Sequence, residues 1–284
     1  MFKGCIVALV TPMFDDGSID FSSLQTLIEY HIRNGTHGIV AMGTTAESAT
    51  LSFDEHQKVV QFVVEVVNKR VPVIAGNGSN STQQAIERTR ALNAFDVDGF
   101  LTVVPYYNKP SQKGLVAHFT AVAKATEKPL LLYNVPGRTV TDLLPETVIE
   151  LAKVDNIIGI KEATGDLERV AQIKADCGDD FLLLSGDDPS VLEFMRRGGD
   201  GAISVTSNVA AKAMADLCQL ALEGDFEAAE VINKQLDLLH KDLFIAPNPT
   251  AAKWILQQLG LISTANVRLP LLSLEPIDQN AVKD

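Results

Sequence analysis

Cysteine is scarce in this sequence: Cys5, Cys177 and Cys218 are odd in number, widely spaced and form no C-x-x-C. That argues against a disulfide framework and a thiolate zinc site, and fits a reducing compartment, with three buried apolar thiols as the plain reading. Long hydrophobic runs are lacking too, since no stretch approaches the ~20 apolar residues that a bilayer-spanning helix needs. The opening MFKGCIVALVTPMFDDG has a short apolar run, but Pro12 and acidic residues stand where a signal-peptide cleavage site would lie. The run therefore reads as a first strand, and the expected location is the cytoplasm. Positive charge is in deficit: 24 Lys and Arg face 36 Asp and Glu, for a formal net charge of −12. Such a surface repels nucleic acid and anionic membranes unless basic residues cluster, and none do, so neither partner is expected. Motifs are missing as well. His31, His37, His56, His118 and His240 make no H-E-x-x-H or other ligand spacing, so no metal is expected. There is no G-x-S-x-G elbow for serine hydrolysis. AGNGSN (75–80) has G-x-G without the third glycine of a dinucleotide fingerprint and reads as a turn.

What is present is a period. Apolar runs too short for helices recur, each followed by a turn and a segment of helical spacing. They are GCIVALV (4–10), GIVAMG (38–43), VPVIAG (71–76), GFLTVV (99–104), PLLLYNV (129–135), IIGIKE (157–162), FLLLSG (181–186) and GAISVT (201–206). Continuous apolar runs mark strands buried on both faces, and strand–helix alternation requires parallel pairing through crossover helices. Eight such units in 284 residues predict a (β/α)8 TIM barrel, with a doubly wound open sheet as the runner-up. Helix-start chemistry agrees. Ser52 with Glu55 and Ser81 with Gln84 have capping-box spacing, while Asp188 and Asn248 precede prolines as cap residues. Residues 209–260 carry helical periodicity, read as the eighth helix plus two more. The expected organisation is a barrel over 1–223 and a C-terminal helical extension over 224–284, packed on the barrel.

In a barrel, chemistry gathers at the C-terminal ends of the strands and in the loops after them. That places Thr44, Thr45, Tyr106, Tyr107, Tyr133, Arg138, Lys161, the SGDD of 185–188, Ser204 and Thr206 on one rim. Lys161 is the most telling. A strand-end lysine is ordinarily a packed stem with its head in water or paired with a carboxylate. The neighbouring Glu162 cannot be that partner, because alternate strand residues point to opposite faces. The functional alternative rests on burial: apolar surroundings favour the neutral, nucleophilic form of an amine, which can attack a carbonyl. Each tyrosine or threonine alone is a packing or turn residue. Their convergence with an amine and a guanidinium suited to a carboxylate shifts the balance. GGDGAISVTSN (198–208) reads either as a phosphate loop or as a tight turn into strand eight.

GTTAES (43–48), VVPYYNKPSQKGL (103–115), LLLYNVPGRT (130–139) and IGIKEATGDL (158–167) resemble the dihydrodipicolinate synthase family of class I pyruvate aldolases. The similarity runs from the first strand to the last helices. It implies a (β/α)8 barrel assembled as a homotetramer, a dimer of tight dimers. It implies that Lys161 forms a Schiff base with pyruvate, giving an enamine that attacks L-aspartate 4-semialdehyde, with cyclisation freeing the enzyme. By the same resemblance Tyr133, Thr44 and Tyr107 form a proton relay, with Tyr107 contributed across the dimer interface. Thr45 and the backbone around Ile203 position pyruvate, and Arg138 grips the semialdehyde carboxylate. No cofactor is called for.

Two departures stand out. Ala46 replaces the usual glycine of G-T-T-G-E, which is tolerable unless that backbone needs a positive φ. The family's feedback site for L-lysine is matched by Ser48, Ala49, His56, Asn80 and Tyr106, but Phe53 stands where histidine is common and Gln84 where glutamate is common. Losing a carboxylate weakens the grip on a cationic ligand, so weakened lysine inhibition is expected. Rival expectations are a sugar-acid aldolase of the same family and a non-catalytic keto-acid or amino-acid sensor. Arg138 and the Tyr106–Tyr107 pair disfavour the first, and the intact relay disfavours the second.

Overall fold

The computed structural model describes residues 2–283. Each apolar run becomes a strand: β1 Gly4–Ala8, β2 Gly38–Ala41, β3 Val73–Gly76, β4 Gly99–Val103, β5 Leu130–Asn134, β6 Ile157–Glu162, β7 Leu182–Ser185 and β8 Gly201–Ser204. They pair in parallel in chain order, and β8 returns to β1 through Cys5↔Ala202 and Ile6↔Ile203, closing the barrel. The open-sheet alternative is thereby excluded. Outside lie α1 Phe21–Arg33, α2 Phe53–Val67, α3 Thr82–Leu92, α4 Gln112–Ala123, α5 Pro136–Thr139, α6 Pro145–Leu151, α7 Glu168–Cys177, α8 Val191–Arg196 and α9 Ala211–Leu222. Beyond them come α10 Phe226–Asp242, α11 Thr250–Gln258 and α12 Pro276–Lys283; the last was not anticipated from the periodicity.

The period of two in each strand divides the core. Ile6, Val40, Ile74, Leu101, Leu131 and Ile203 fill the barrel interior, while Val7, Ile39, Val73, Phe100, Leu130 and Ile160 face the helix ring. Both faces being covered is what makes the runs continuously apolar. Among the described residues no helix is long and apolar enough to cross a membrane.

The capping expectations divide. Ser52 and Glu55 form the reciprocal box at the start of α2. At α3 only half the box exists. Ser81 accepts from the Gln84 amide, but the Gln84 side chain accepts from Ser79 Oγ at 2.9 Å. Neither Asp188 nor Asn248 caps a helix. Asp188 Oδ2 instead accepts from the backbone N–H groups of Val205 and Thr206, both at 2.9 Å, tying the end of β7 to the end of β8. Asn248 reaches Thr45 across the molecule. In both cases a long-range partner outcompetes the local cap. Gly198 and Gly199 lie in the turn from α8 into β8 and Gly201 begins that strand, at the barrel end opposite the rim, which favours the tight-turn reading of that stretch.

Candidate active site

Lys161 stands on β6 directly across from Tyr133 on β5. Both point into the barrel. Lys161 is 5% exposed, its Nζ lies 4.4 Å from the centroid of the Tyr133 ring, and no carboxylate pairs with it among the described residues. Glu162 points the other way, as the alternation requires. Its carboxylate accepts from Asn134 Nδ2 at 3.1 Å and the Thr164 amide at 2.9 Å, with Arg169 Nη1 3.7 Å away. Burial pushes the Glu162 carboxyl up, against those hydrogen bonds. Arg169 also grips Asp142 through both carboxylate oxygens, at 2.8 and 2.7 Å, which holds the Asp142 carboxyl below its usual range.

Space for the Lys161 stem comes from Gly186, just after β7. A Cβ there would sit 2.8 Å from Lys161 Cε and 2.5 Å from Ala163 Cβ, closer than packed atoms tolerate.

Thr44 and Thr45 form a single 3-10 turn with Ala46 after β2. The Thr44 side chain is exposed and, with Tyr133, Ser48, His56 and Arg88, lines a cavity of about 50 Å³. Tyr133 therefore borders both Lys161 and the cavity that Thr44 lines. Thr45 is buried, and its Oγ1 accepts from Asn248 Nδ2 at 2.9 Å. Ala46 does not take a positive φ; that conformation falls on Glu47, at φ 59. The methyl of Ala46 is accordingly free of backbone conflict. Ile203 is buried in the interior cluster with Tyr133.

Arg138 sits on α5 with its guanidinium exposed and unpaired among the described residues. Its loop is closed by Asn134, whose Oδ1 accepts from the Leu143 amide at 2.9 Å and whose Nδ2 donates to Asp142 at 2.9 Å. Tyr107 is not brought to the others. It is 87% exposed at φ 74, held through its amide by the Thr139 carbonyl. Tyr106 is 38% exposed. Of the non-glycine residues with positive φ, all but Asn68 and Lys69 (Met42, Glu47, Tyr107, Lys109 and Val140) lie in loops after strands β2, β4 and β5. Backbone conformations of this kind cost energy and persist only where the surrounding structure holds them.

The histidines have structural partners. His31 bonds Thr36, His56 the Gly76 carbonyl, His118 Thr82 and His240 Thr206. Among the described residues no group of three or more His, Cys, Asp or Glu is arranged to hold a metal ion.

The model of the dihydrodipicolinate synthetase family matches residues 1–284. This chain belongs to that family. A 4-hydroxy-tetrahydrodipicolinate synthase from Shigella dysenteriae is 55% identical over 283 residues, covering 100% of this chain and 97% of the relative. A chloride-inhibited dihydrodipicolinate synthase from Acinetobacter baumannii, solved in complex with pyruvate, is 47% identical with a TM-score of 0.97, covering 100% of this chain and 98% of that one. A dihydrodipicolinate synthase from Cyanidioschyzon merolae, solved with lysine bound, is 39% identical with a TM-score of 0.96, covering 99% and 96%.

Within this dihydrodipicolinate synthetase fold, two of the residues expected to hold lysine reach the cavity that Thr44 and Tyr133 line. Ser48 and His56 border it, and Ala49 is exposed nearby in sequence. Burial pushes the His56 imidazole down to about 4, with help from the Arg88 charge. Asn80 is half-buried and its carbonyl accepts from Asn108 at 2.8 Å, while Gln84 is engaged with Ser79. Sequence reasoning missed Arg88, whose guanidinium lies 5.9 Å from the Phe53 ring and donates to the Gly78 carbonyl at 2.8 Å. It missed Lys253 and the role of Asn248 as well. Nothing local in the sequence marks any of these three; spacing on α3 alone shows that residues 84 and 88 share a face.

Proposed function

We infer that the chain condenses pyruvate with L-aspartate 4-semialdehyde through a Schiff base, giving 4-hydroxy-tetrahydrodipicolinate in the first committed step of the diaminopimelate route to lysine. One observation carries this: Lys161, buried and without a carboxylate partner among the described residues, lies against Tyr133 at the barrel rim, in a chain 55% identical to a relative of that name. The amine adds to the pyruvate carbonyl and water leaves, forming the imine. A methyl proton is then lost to give the enamine, whose carbon attacks the aldehyde. Cyclisation through the semialdehyde's amino group displaces Lys161. Each proton transfer needs a group within hydrogen-bond reach. Tyr133 and Thr44 serve from one chain, and Tyr107 from a neighbouring copy. Thr45 and the backbone at Ile203 position pyruvate. Arg138, a cation unpaired among the described residues of a net negative protein, receives the semialdehyde carboxylate. The exposed Tyr107 supports assembly as a homotetramer of two tight dimers, since a relay residue so placed is completed only by another copy. The location is the cytoplasm.

Turnover of the semialdehyde that requires pyruvate and vanishes in Lys161→Ala tests the assignment. A folded wild type with no such turnover would sink it in favour of other aldehyde acceptors.

L-Lysine, bound in the Cyanidioschyzon relative, acts weakly on this chain. Phe53 and Gln84 remove polar and acidic partners, and the Arg88 guanidinium beside them repels a cationic ligand. A lysine titration is expected to show shallow inhibition that deepens in Arg88→Leu. Strong inhibition of the wild type contradicts it.

A further inference from the structure

The mechanism leaves one buried charge pair unused. Glu47, the residue that ends the Thr44–Thr45–Ala46 turn, has its carboxylate wholly inside the protein, with Oε1 2.7 Å from Lys253 Nζ and Oε2 accepting from the Arg268 amide at 2.9 Å. Both side chains of the pair are 0% exposed. Burying two charges costs several kcal/mol of desolvation each. Apolar residues of the same volume often hold elements together as well, so such a pair is weak evidence of stabilisation and invites another use.

Its place in the fold indicates that use. Lys253 lies on α11, and five residues before it Asn248 donates to Thr45 Oγ1. Arg268, further along the extension, donates to the Thr50 carbonyl at 3.0 Å and to the Glu55 carboxylate. Three side chains of the extension thus converge on residues 45–55. Thr44 itself has no hydrogen bond from its side chain among the described residues. The position of its hydroxyl comes entirely from the backbone turn around it. That turn ends in a left-handed residue, Glu47, a conformation that needs support from its surroundings.

We propose that Lys253 and Asn248 are positioning residues for the reaction: acting through Glu47 and Thr45, they hold the turn that places Thr44 on the cavity it shares with Tyr133. The proposal rests on the synthase reading for the chemistry of Thr44, while the anchoring itself is a property of the fold. A reacting group displaced by about 1 Å can cost up to about 10²-fold in rate. Where only Glu47 is disturbed the loss should fall on kcat, because Lys161 and Arg138 are untouched; where Thr45 is disturbed KM for pyruvate should rise as well.

The test uses the full-length enzyme and four variants: Asn248→Ala, Lys253→Met, Thr45→Val and Asn248→Ala/Thr45→Val. Asn248→Ala is expected to lower kcat by roughly tenfold or more and also to raise KM for pyruvate, because Thr45 positions pyruvate, while Lys253→Met is expected to lower kcat further with KM for pyruvate within about threefold. The double variant is expected to be no worse than Thr45→Val, because Asn248 acts through Thr45. An effect of Asn248 that does not run through Thr45 would instead give additive losses. Amide hydrogen exchange over residues 43–50 is expected to speed up in both Asn248→Ala and Lys253→Met, with the strand peptides of β5 and β6 unchanged. Should Lys253→Met fail to fold, Asn248→Ala decides. Unchanged kcat with unchanged exchange in a folded Asn248→Ala overturns the proposal. Faster exchange with wild-type kcat overturns the catalytic part. A wild type without turnover sinks the synthase reading, and the exchange data then judge the anchoring separately.

Discussion

At the scale of single residues, the site depends on what is absent as much as on what is present. The Lys161 side chain keeps its course in part because residue 186 has no side chain to crowd its Cε. Gly186→Ala is expected to force the Ala163 or Lys161 side chain aside, costing about 1–3 kcal/mol of stability and a much larger share of activity. Thermal melts and turnover on the same preparation check this, and wild-type kcat would contradict it. Lys161 and Tyr133 were legible because strand alternation fixes which face a residue takes once the strand is recognised. The partners of Glu47 were not. Lys253 lies 206 residues away, and nothing in the spacing around either residue announces a contact that only barrel closure creates. Asp188 and Asn248 show the same limit from the other side. Their local pattern is that of helix caps, yet long-range partners take their side chains.

At the scale of elements, the helices carry buried imidazoles that tie stability to pH. On the inner face of α1, burial pushes His31 down to about 3 from an ordinary value of 6.5; His118 on α4 falls to about 4 for the same reason. His56 on α2 falls to about 4. A base whose folded value is depressed stays neutral in the fold while the unfolded chain takes up its proton. Their contribution is therefore fully present above about 6.5 and is lost as pH falls from there towards 3 or 4. Melting temperature is expected to drop steadily between pH 6.5 and 4, and His31→Asn to flatten part of that slope. An identical slope in the variant contradicts the assignment to His31. The strands were the most legible elements, because burial on both faces writes each as an unbroken apolar run. α12 was missed because its sequence, PIDQNAVK, is short and polar.

At the scale of the whole molecule, closure of β8 onto β1 places the rim residues of β2, β5 and β6 around one opening, and the extension returns to brace the first of these loops. Tyr107 stays outside. Sedimentation is expected to give a tetramer, with Tyr107→Phe lowering kcat at unchanged mass; an active monomer would contradict the shared site. The central claim is that Lys161 is the nucleophile. The most direct measurement is borohydride reduction of the enzyme with pyruvate, followed by mass analysis of the peptide carrying residue 161. The account predicts one reduced pyruvate adduct per chain, on Lys161, formed without the semialdehyde and absent from Lys161→Ala. An adduct on another lysine, or none in an enzyme that turns over, would contradict it.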